Sequence, residues 1–141
     1  MELYDCINFI LNSTQNAVHS YFKEKLLPFD VTPIQYSVLK CLWDTDMQTP
    51  TQLSQILQVD TSTITGLIER MERKSLVTRT YSQEDRRSIQ VCLTEEGRRL
   101  QPGIEAAIQQ ANVEVTRGLE VNQVAELKRQ CQLMKENARR G

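Results

Sequence analysis

Between Thr49 and Gly97 the sequence changes its hydrophobic period twice, from helical spacing to alternation and back. That change fixes an order of elements. Residues 50–57 carry Leu53, Ile56 and Leu57 at helical spacing. Gln58-Val59-Asp60 breaks the run, and residues 61–74 resume it with Ile64, Leu67, Ile68 and Met71. Residues 76–81 and 89–93 are β-rich, and Ile89, Val91 and Leu93 alternate with Gln90 and Cys92 as a half-buried strand requires. Thr94 then precedes Glu95 and Glu96, an N-cap followed by acids in the first turn of a further helix. Two helices about a tight turn, then a hairpin, then a helix, is the order of a winged helix-turn-helix, whose second helix fits a DNA major groove.

The flanks are helical too. Leu3, Ile7, Ile10, Leu11, Val18, Tyr21, Phe22 and Leu26 predict a first amphipathic helix ending before Pro28, with a turn at Phe29-Asp30-Val31. Thr32-Pro33-Ile34-Gln35 and Thr49-Pro50-Thr51-Gln52 share one grammar: a threonine N-cap, proline at the first helical position, and glutamine placed to return a capping-box hydrogen bond. The helix from Pro33 carries Ile34, Val38, Leu39 and Leu42 inward and stops near Asp44-Thr45-Asp46. In the next helices Leu53, Ile56, Leu57, Val59, Ile64, Leu67, Ile68, Met71 and Leu76 supply the docking faces.

Beyond Thr94 a helix is expected to about Arg117, bent at Pro102-Gly103 because proline removes a backbone donor. Gly118 marks its end. A last helix over about 121–137 sets Val124, Leu127, Cys131 and Met134 on one stripe. The expected fold is mainly α with a small β-hairpin wing, a single domain over 1–141. The terminal helices hold more apolar surface than a small winged region, 32–100, can cover. The segments 1–31 and 101–141 are therefore read as dimerisation helices.

With 141 residues, 40% of them hydrophobic and 25% charged, the chain is long enough for one domain with a core of its own. Its formal net charge is −1, so any attraction to nucleic acid must come from local charge. Arg70, Arg73, Lys74, Arg79, Arg86 and Arg87 supply it, all within the second helix of the pair and the hairpin. Cys6, Cys41, Cys92 and Cys131 are scattered, with no Cys-x-x-Cys pair and no histidine to complete a zinc set, so neither a metal nor another cofactor is expected. A signal peptide and a membrane span are both missing from the pattern, and a cytoplasmic protein with reduced thiols is the expectation. Catalysis is not expected either, because there is no Gly-x-Ser-x-Gly, no phosphate-binding glycine loop and a single histidine.

The candidate DNA-binding residues follow from the outer face of helix 61–74 and from the hairpin tip. Thr61, Ser62, Thr63 and Thr65 place short hydrogen-bonding groups at the N-terminal end, where base edges and phosphates would be met. Alone, they would read as cap and solvent-facing residues; beside an arginine-bearing wing, they read as a DNA-facing surface. Gly66 and Glu69 share that face. Arg70 and Arg73 either meet phosphates or pair with acids at helical spacing. Asp60 suits the cap of this helix first and a base contact second. The connection 82–88 is wholly polar, longer than common hairpin loops, and carries Asp85, Arg86 and Arg87.

His19, Phe22, Tyr36 and Trp43 are the candidate lining of a pocket for a planar ligand between the first two helices and the fifth, set against the plainer reading of the aromatics as core. The cysteines read first as small apolar residues and second as redox sensors. A winged helix used for protein contact is the alternative to DNA binding.

Thr32 to Leu39, Leu53-Ser54-Gln55-Ile56-Leu57, Ser62 to Glu72, and Asp85-Arg86-Arg87-Ser88 running into Leu93-Thr94-Glu95-Glu96-Gly97 resemble the MarR family of bacterial transcriptional regulators. The Asp-x-Arg wing followed by a strand and Leu-Thr-x-x-Gly is the specific part. The resemblance implies a two-fold homodimer with a recognition helix of each subunit in the major groove and a wing along the minor groove of a pseudopalindromic double-stranded operator. By position, Arg87 looks like the arginine inserted in the minor groove and Asp85 like the carboxylate that orients it; a narrow minor groove concentrates negative potential that favours guanidinium. Members of the family generally repress, and many are relieved by small aromatic or phenolic effectors or by cysteine oxidation. The thiol that senses in the first helix of such members corresponds here to Leu11.

Overall fold

Both threonine capping boxes form and start the helices around which the middle of the chain is built. The structure is a computed structural model that describes residues 1–84 and 87–141. Thr32 N–H donates to Gln35 Oε1 at 3.1 Å and Gln35 N–H returns to Thr32 Oγ1 at 3.3 Å, opening α2 (Pro33–Asp44). The Thr49 and Gln52 pair closes the same ring at 2.8 and 3.1 Å, opening α3 (Pro50–Leu57). Each ring satisfies two of the amide donors that a helix start leaves without a partner.

Upstream, a 3-10 turn (Leu3–Asp5) leads into α1 (Ile7–Leu26), and a second 3-10 turn (Leu27–Phe29) carries the chain past Pro28 to Asp30, which turns with φ 54°. Gln58, with φ 59°, ends α3, and Asp60 caps α4 (Thr61–Arg73). The chain leaves α4 through Ser75 at φ 61°, where Ser75 N–H bonds Glu72 O and Leu76 N–H bonds Met71 O. This Schellman-type closure aims the chain into β1 (Val77–Tyr81). β2 (Ile89–Leu93) pairs antiparallel with β1, in register from Val77 opposite Leu93 to Tyr81 opposite Ile89. Gln48 adds a short third rung, accepting the Val91 N–H at 2.7 Å.

The expected bent helix after Thr94 is in fact two helices, α5 (Glu95–Arg99) and α6 (Gln101–Val115), with Leu100 at the joint and Pro102 in the first turn of the second. α6 packs along α1. α7 (Val121–Arg140) follows Gly118, has no buried residue, and continues beyond the expected end near Asn137.

The core gathers Leu26 from α1, Val38, Leu39 and Leu42 from α2, Leu53 from α3, Ile64, Leu67, Ile68 and Met71 from α4, Val77 and Val91 from the hairpin, and Ile104 from α6. Two expected core positions fall outside it. Ile34 and Ile56 are 38% and 55% exposed. At about 100° of rotation per residue, Ile34 stands a quarter turn from the direction shared by Val38, Leu39 and Leu42, and Ile56 is rotated similarly from Leu53, Ser54 and Leu57.

One junction holds the hairpin to α4 and α5. Thr94 N–H donates to Leu76 O at 3.1 Å; its hydroxyl hydrogen lies within reach of Ser75 O at 2.6 Å and Leu76 O at 2.9 Å, while the same oxygen accepts Gly97 N–H at 3.0 Å. Gly97 is buried against the Leu76 carbonyl so closely that a Cβ there would collide with backbone. The Leu-Thr-x-x-Gly motif is therefore a packing requirement: a cap at Thr94 and no side chain at Gly97. Gly97→Ala should destabilise the protein by about 1 to 3 kcal/mol, the usual cost of overpacking. The check is a lowered midpoint in urea denaturation.

Candidate nucleic-acid interface

α4 divides along its length. Ile64, Leu67, Ile68 and Met71 are buried, and Thr61, Ser62, Thr63, Thr65, Glu69, Arg70 and Arg73 are exposed on the other side. The cap is tight: Asp60 Oδ1 accepts Thr63 N–H and Ser62 Oγ–H, each at 2.7 Å. The Thr63 amide first, then the Ser62 hydroxyl, hold the Asp60 carboxyl below its ordinary value. A carboxylate bonded to a helix N-terminus is favoured in its charged form.

The hydroxyls of this face are not equivalent. Ser62 donates its hydrogen to Asp60, and Thr65 donates to Thr61 O at 3.0 Å. Each keeps acceptor capacity and presents it outward. The Thr61 hydroxyl makes no hydrogen bond among the described residues. Arg70 and Arg73 lie in the last turns and form no ion pair among the described residues, whereas Arg79 of β1 is tied to Glu72 of α4 at 2.7 Å. Of the basic residues in α4 and β1, Arg70 and Arg73 are thus available to anions, and Arg79 instead clamps the hairpin to the helix.

Gly66 lies on the exposed stripe between Ser62 and Arg70. A Cβ there would meet only Arg70 Nη1, at an ordinary 3.4 Å. Packing does not require this glycine, although a glycine inside a helix costs about 1 kcal/mol relative to alanine.

The wing is held from a direction the sequence did not advertise. Asp46, in the turn after α2, accepts Leu93 N–H at 2.9 Å and Met47 N–H at 2.8 Å through Oδ1, and Arg98 of α5 through Oδ2 at 3.0 Å. Buried Gln48 beside it donates to the Cys41 and Thr45 carbonyls at 3.0 and 2.7 Å. These partners lie up to 52 residues apart; the only local hint was the polar cluster Asp44-Thr45-Asp46. At the tip, Arg87 is exposed in the turn between β1 and β2. Asp85 and Arg86 lie outside the described residues.

The four expected pocket residues do not share one cavity. Phe22, Tyr36 and Trp43 are half-buried against the core, Tyr36 and Trp43 tilted at 6.3 Å between ring centroids, and Trp43 Nε1 donates to Gly97 O at 2.9 Å. His19 is exposed at the edge of a different cleft, where α1, the start of α2 and the end of α4 meet. All four cysteines are half-buried free thiols, and burial pushes the Cys41 thiol up, against thiolate chemistry. Among the described residues there is no cluster suited to a metal ion and no helix long and apolar enough to cross a membrane.

The MarR family model matches residues 31–89. Similar proteins include an organic hydroperoxide resistance transcriptional regulator of Bacillus subtilis, 33% identical over 97 residues that make up 69% of this chain and 66% of that protein. The HTH-type transcriptional regulator MgrA of Staphylococcus aureus is 30% identical over 70% of this chain and 68% of its own. This chain belongs to the MarR family. The solved structure of CouR from Rhodococcus jostii RHA1 bound to p-coumaroyl-CoA agrees with this MarR-family chain at a TM-score of 0.83 and 27% identity, over 95% of this chain and 94% of that one. The family is one of winged-helix transcriptional regulators, and the mainly helical fold with a two-stranded wing is its fold.

Two outcomes follow for this MarR-family scaffold. The folded-state pKa of Asp60 is depressed, so its stabilising effect is present above the ordinary 3.8 and is lost as pH falls through the lower folded value. Asp60→Asn should therefore melt at a lower temperature than the parent near pH 7, and the gap should narrow as the pH falls below the ordinary 3.8. Asp46→Ala should cost roughly 2 kcal/mol, as expected when amide and guanidinium donors lose a charged acceptor, with faster hydrogen exchange at the Leu93 amide.

Proposed function

We propose that this MarR-family protein is a sequence-specific DNA-binding repressor that acts as a homodimer on a pseudopalindromic operator. The observation that carries the reading is the exposed face of α4, with hydroxyls at its N-terminal end and, at its C-terminal end, arginines that form no ion pair among the described residues, mounted on a winged scaffold beside Arg87. In this reading Thr61, Ser62, Thr63 and Thr65 meet base edges and nearby phosphates, and Arg70 and Arg73 meet phosphates. Arg87 enters the minor groove, and Asp85 and Arg86, which precede it in the sequence, are taken to act with it.

Two copies are needed because a large apolar surface lies uncovered at the ends of the chain. Leu3, Tyr4, Ile7, Ile10 and Leu11 are exposed at the N-terminus, and Val113, Leu119, Val121, Leu127 and Leu133 near the C-terminus. So much large apolar side chain in the flanking helices is the mark of an interface. A second copy would cover it and set the distance between two recognition helices, which makes 1–31 and 101–141 the dimerisation helices and 32–100 the reading head. A DNA partner makes the protein cytoplasmic. Relief by a small effector is part of the proposal, supported by the neighbour whose structure holds p-coumaroyl-CoA.

Two substitutions test the reading on a duplex obtained by selection from a random pool. Arg87→Ala should weaken binding at least tenfold while the protein stays folded at the assay temperature, as circular dichroism would show; unchanged affinity would remove the wing from the mechanism. Gly66→Ala should stabilise the fold by about 1 kcal/mol through helix propensity and still weaken duplex binding, because its methyl group would stand where DNA approaches α4. Equal or better binding by the stabilised variant would separate that face from DNA.

A further inference from the structure

The half of the reading head that leads into α4 has no cation of its own. No lysine or arginine occurs between Lys40 and Arg70, a stretch that holds the whole of α3, the turn at Gln58-Val59-Asp60 and the first turns of α4. Its charges are all acidic: Asp44 is paired with Lys40 and Asp46 with Arg98, while Asp60 and Glu69 are exposed. In a helix-turn-helix the first helix crosses the sugar-phosphate backbone and the N-terminus of the second enters the groove beside it, so phosphates flank this part of the fold. Hydroxyls and amides can bond a phosphate there, but no side chain of the stretch can neutralise one, and Asp60 adds a charge of the wrong sign.

The last turn of α7 brings a cation to that turn. Arg139 Nη2 donates to Gln58 Oε1 at 2.6 Å, a contact across 81 residues of sequence. Gln58 is the left-handed residue at which α3 ends, and both partners are exposed. A neutral amide oxygen occupies one of the guanidinium N–H donors and offsets none of the charge. Among the described residues Arg139 forms no ion pair. Glu136, three residues before it on the helix, accepts from Gln132 instead, whereas Arg129 in the same helix is tied to Glu126. An arginine in a last turn suits the helix dipole wherever its side chain lies. That accounts for a cation at the end of α7 and not for its hold on the turn before α4.

We propose that Arg139 is a DNA-phosphate contact: held by Gln58 at the turn before α4, its guanidinium neutralises a backbone phosphate beside the point where α4 enters the major groove. The proposal rests on the DNA-binding reading above and adds to it a contact from outside the winged region. A guanidinium meets two phosphate oxygens with parallel N–H donors, and the single bond to Gln58 leaves donors for that purpose. Such a contact carries no base information. It fixes the register of the reading head on the duplex and makes binding more sensitive to salt.

The test is a fluorescence-anisotropy titration of the full chain on the selected duplex and on an unrelated duplex of equal length, over a series of potassium chloride concentrations. It compares the parent with Arg139→Gln and Arg139→Lys, with fold followed by circular dichroism and mass by sedimentation. Arg139→Gln should lose about fivefold or more in affinity at about 0.1 M salt, alike on both duplexes, and its slope of log affinity against log salt should be shallower by about 0.9 for each copy bound. Arg139→Lys should keep the parent's slope, because an ammonium retains the charge. A parental slope in Arg139→Gln, or a loss confined to the selected duplex, overturns the proposal. Equal losses in the two variants, or a change of fold or mass in Arg139→Gln, make the residue a brace of α7 and overturn it as well. The parent reports the DNA reading separately: a parent that binds neither duplex defeats both, whereas a parent with steep salt dependence beside an unaltered Arg139→Gln defeats the phosphate contact alone.

Discussion

The Leu76 carbonyl is where the recognition helix, the wing and the following helix are joined. It accepts the Thr94 amide and lies within reach of the Thr94 hydroxyl, and Gly97 presses against it without a side chain. A carbonyl buried at such a junction must be satisfied, and the cap that satisfies it also starts α5. The direction in which the wing leaves α4 is thereby fixed by a short loop of hydrogen bonds together with the burial of Val77 and Val91 in the core. Asp46 and the Arg79 to Glu72 pair brace the same hairpin from its other sides.

On that frame the chain keeps its charge where it can act. Asp60 is spent on the cap of α4, where a carboxylate stabilises the helix start and has two local donors. Glu72 is spent on Arg79. What is left exposed on α4 is a set of hydroxyls at one end, Glu69, and at the other end two guanidinium groups that form no ion pair among the described residues, in a chain with a formal net charge of −1.

Much of this fold was legible because its rules are local. The Thr-Pro-x-Gln boxes, the Asp60 cap, the alternation of β2 and the break at Gln58 depend on residues within one or two turns of each other. The exposures of Ile34 and Ile56 were misread because short helices carry an apolar stripe whose edges only tertiary packing defines. Asp46 was missed for a different reason: its partners Leu93 and Arg98 come from the far side of the helix-turn-helix, and no spacing in the chain links them. The cleft beside His19 was invisible because its lining residues, His19 with Lys23 and Arg70 with Arg73, lie about fifty residues apart and meet only when α1 passes the end of α4. His19 was picked out, but for an aromatic pocket whose other members turned into the core.

A hydroxyl-radical footprint on the duplex selected from a random pool tests the central claim most directly, because it reads where and how many times the protein touches DNA. The account predicts two symmetric sets of protected sugars, centred about one helical turn apart on an inverted repeat, with minor-groove protection flanking them that disappears in Arg87→Ala. A single unpaired footprint, or uniform protection without sequence preference, would contradict a dimer that reads DNA through α4 and its wing.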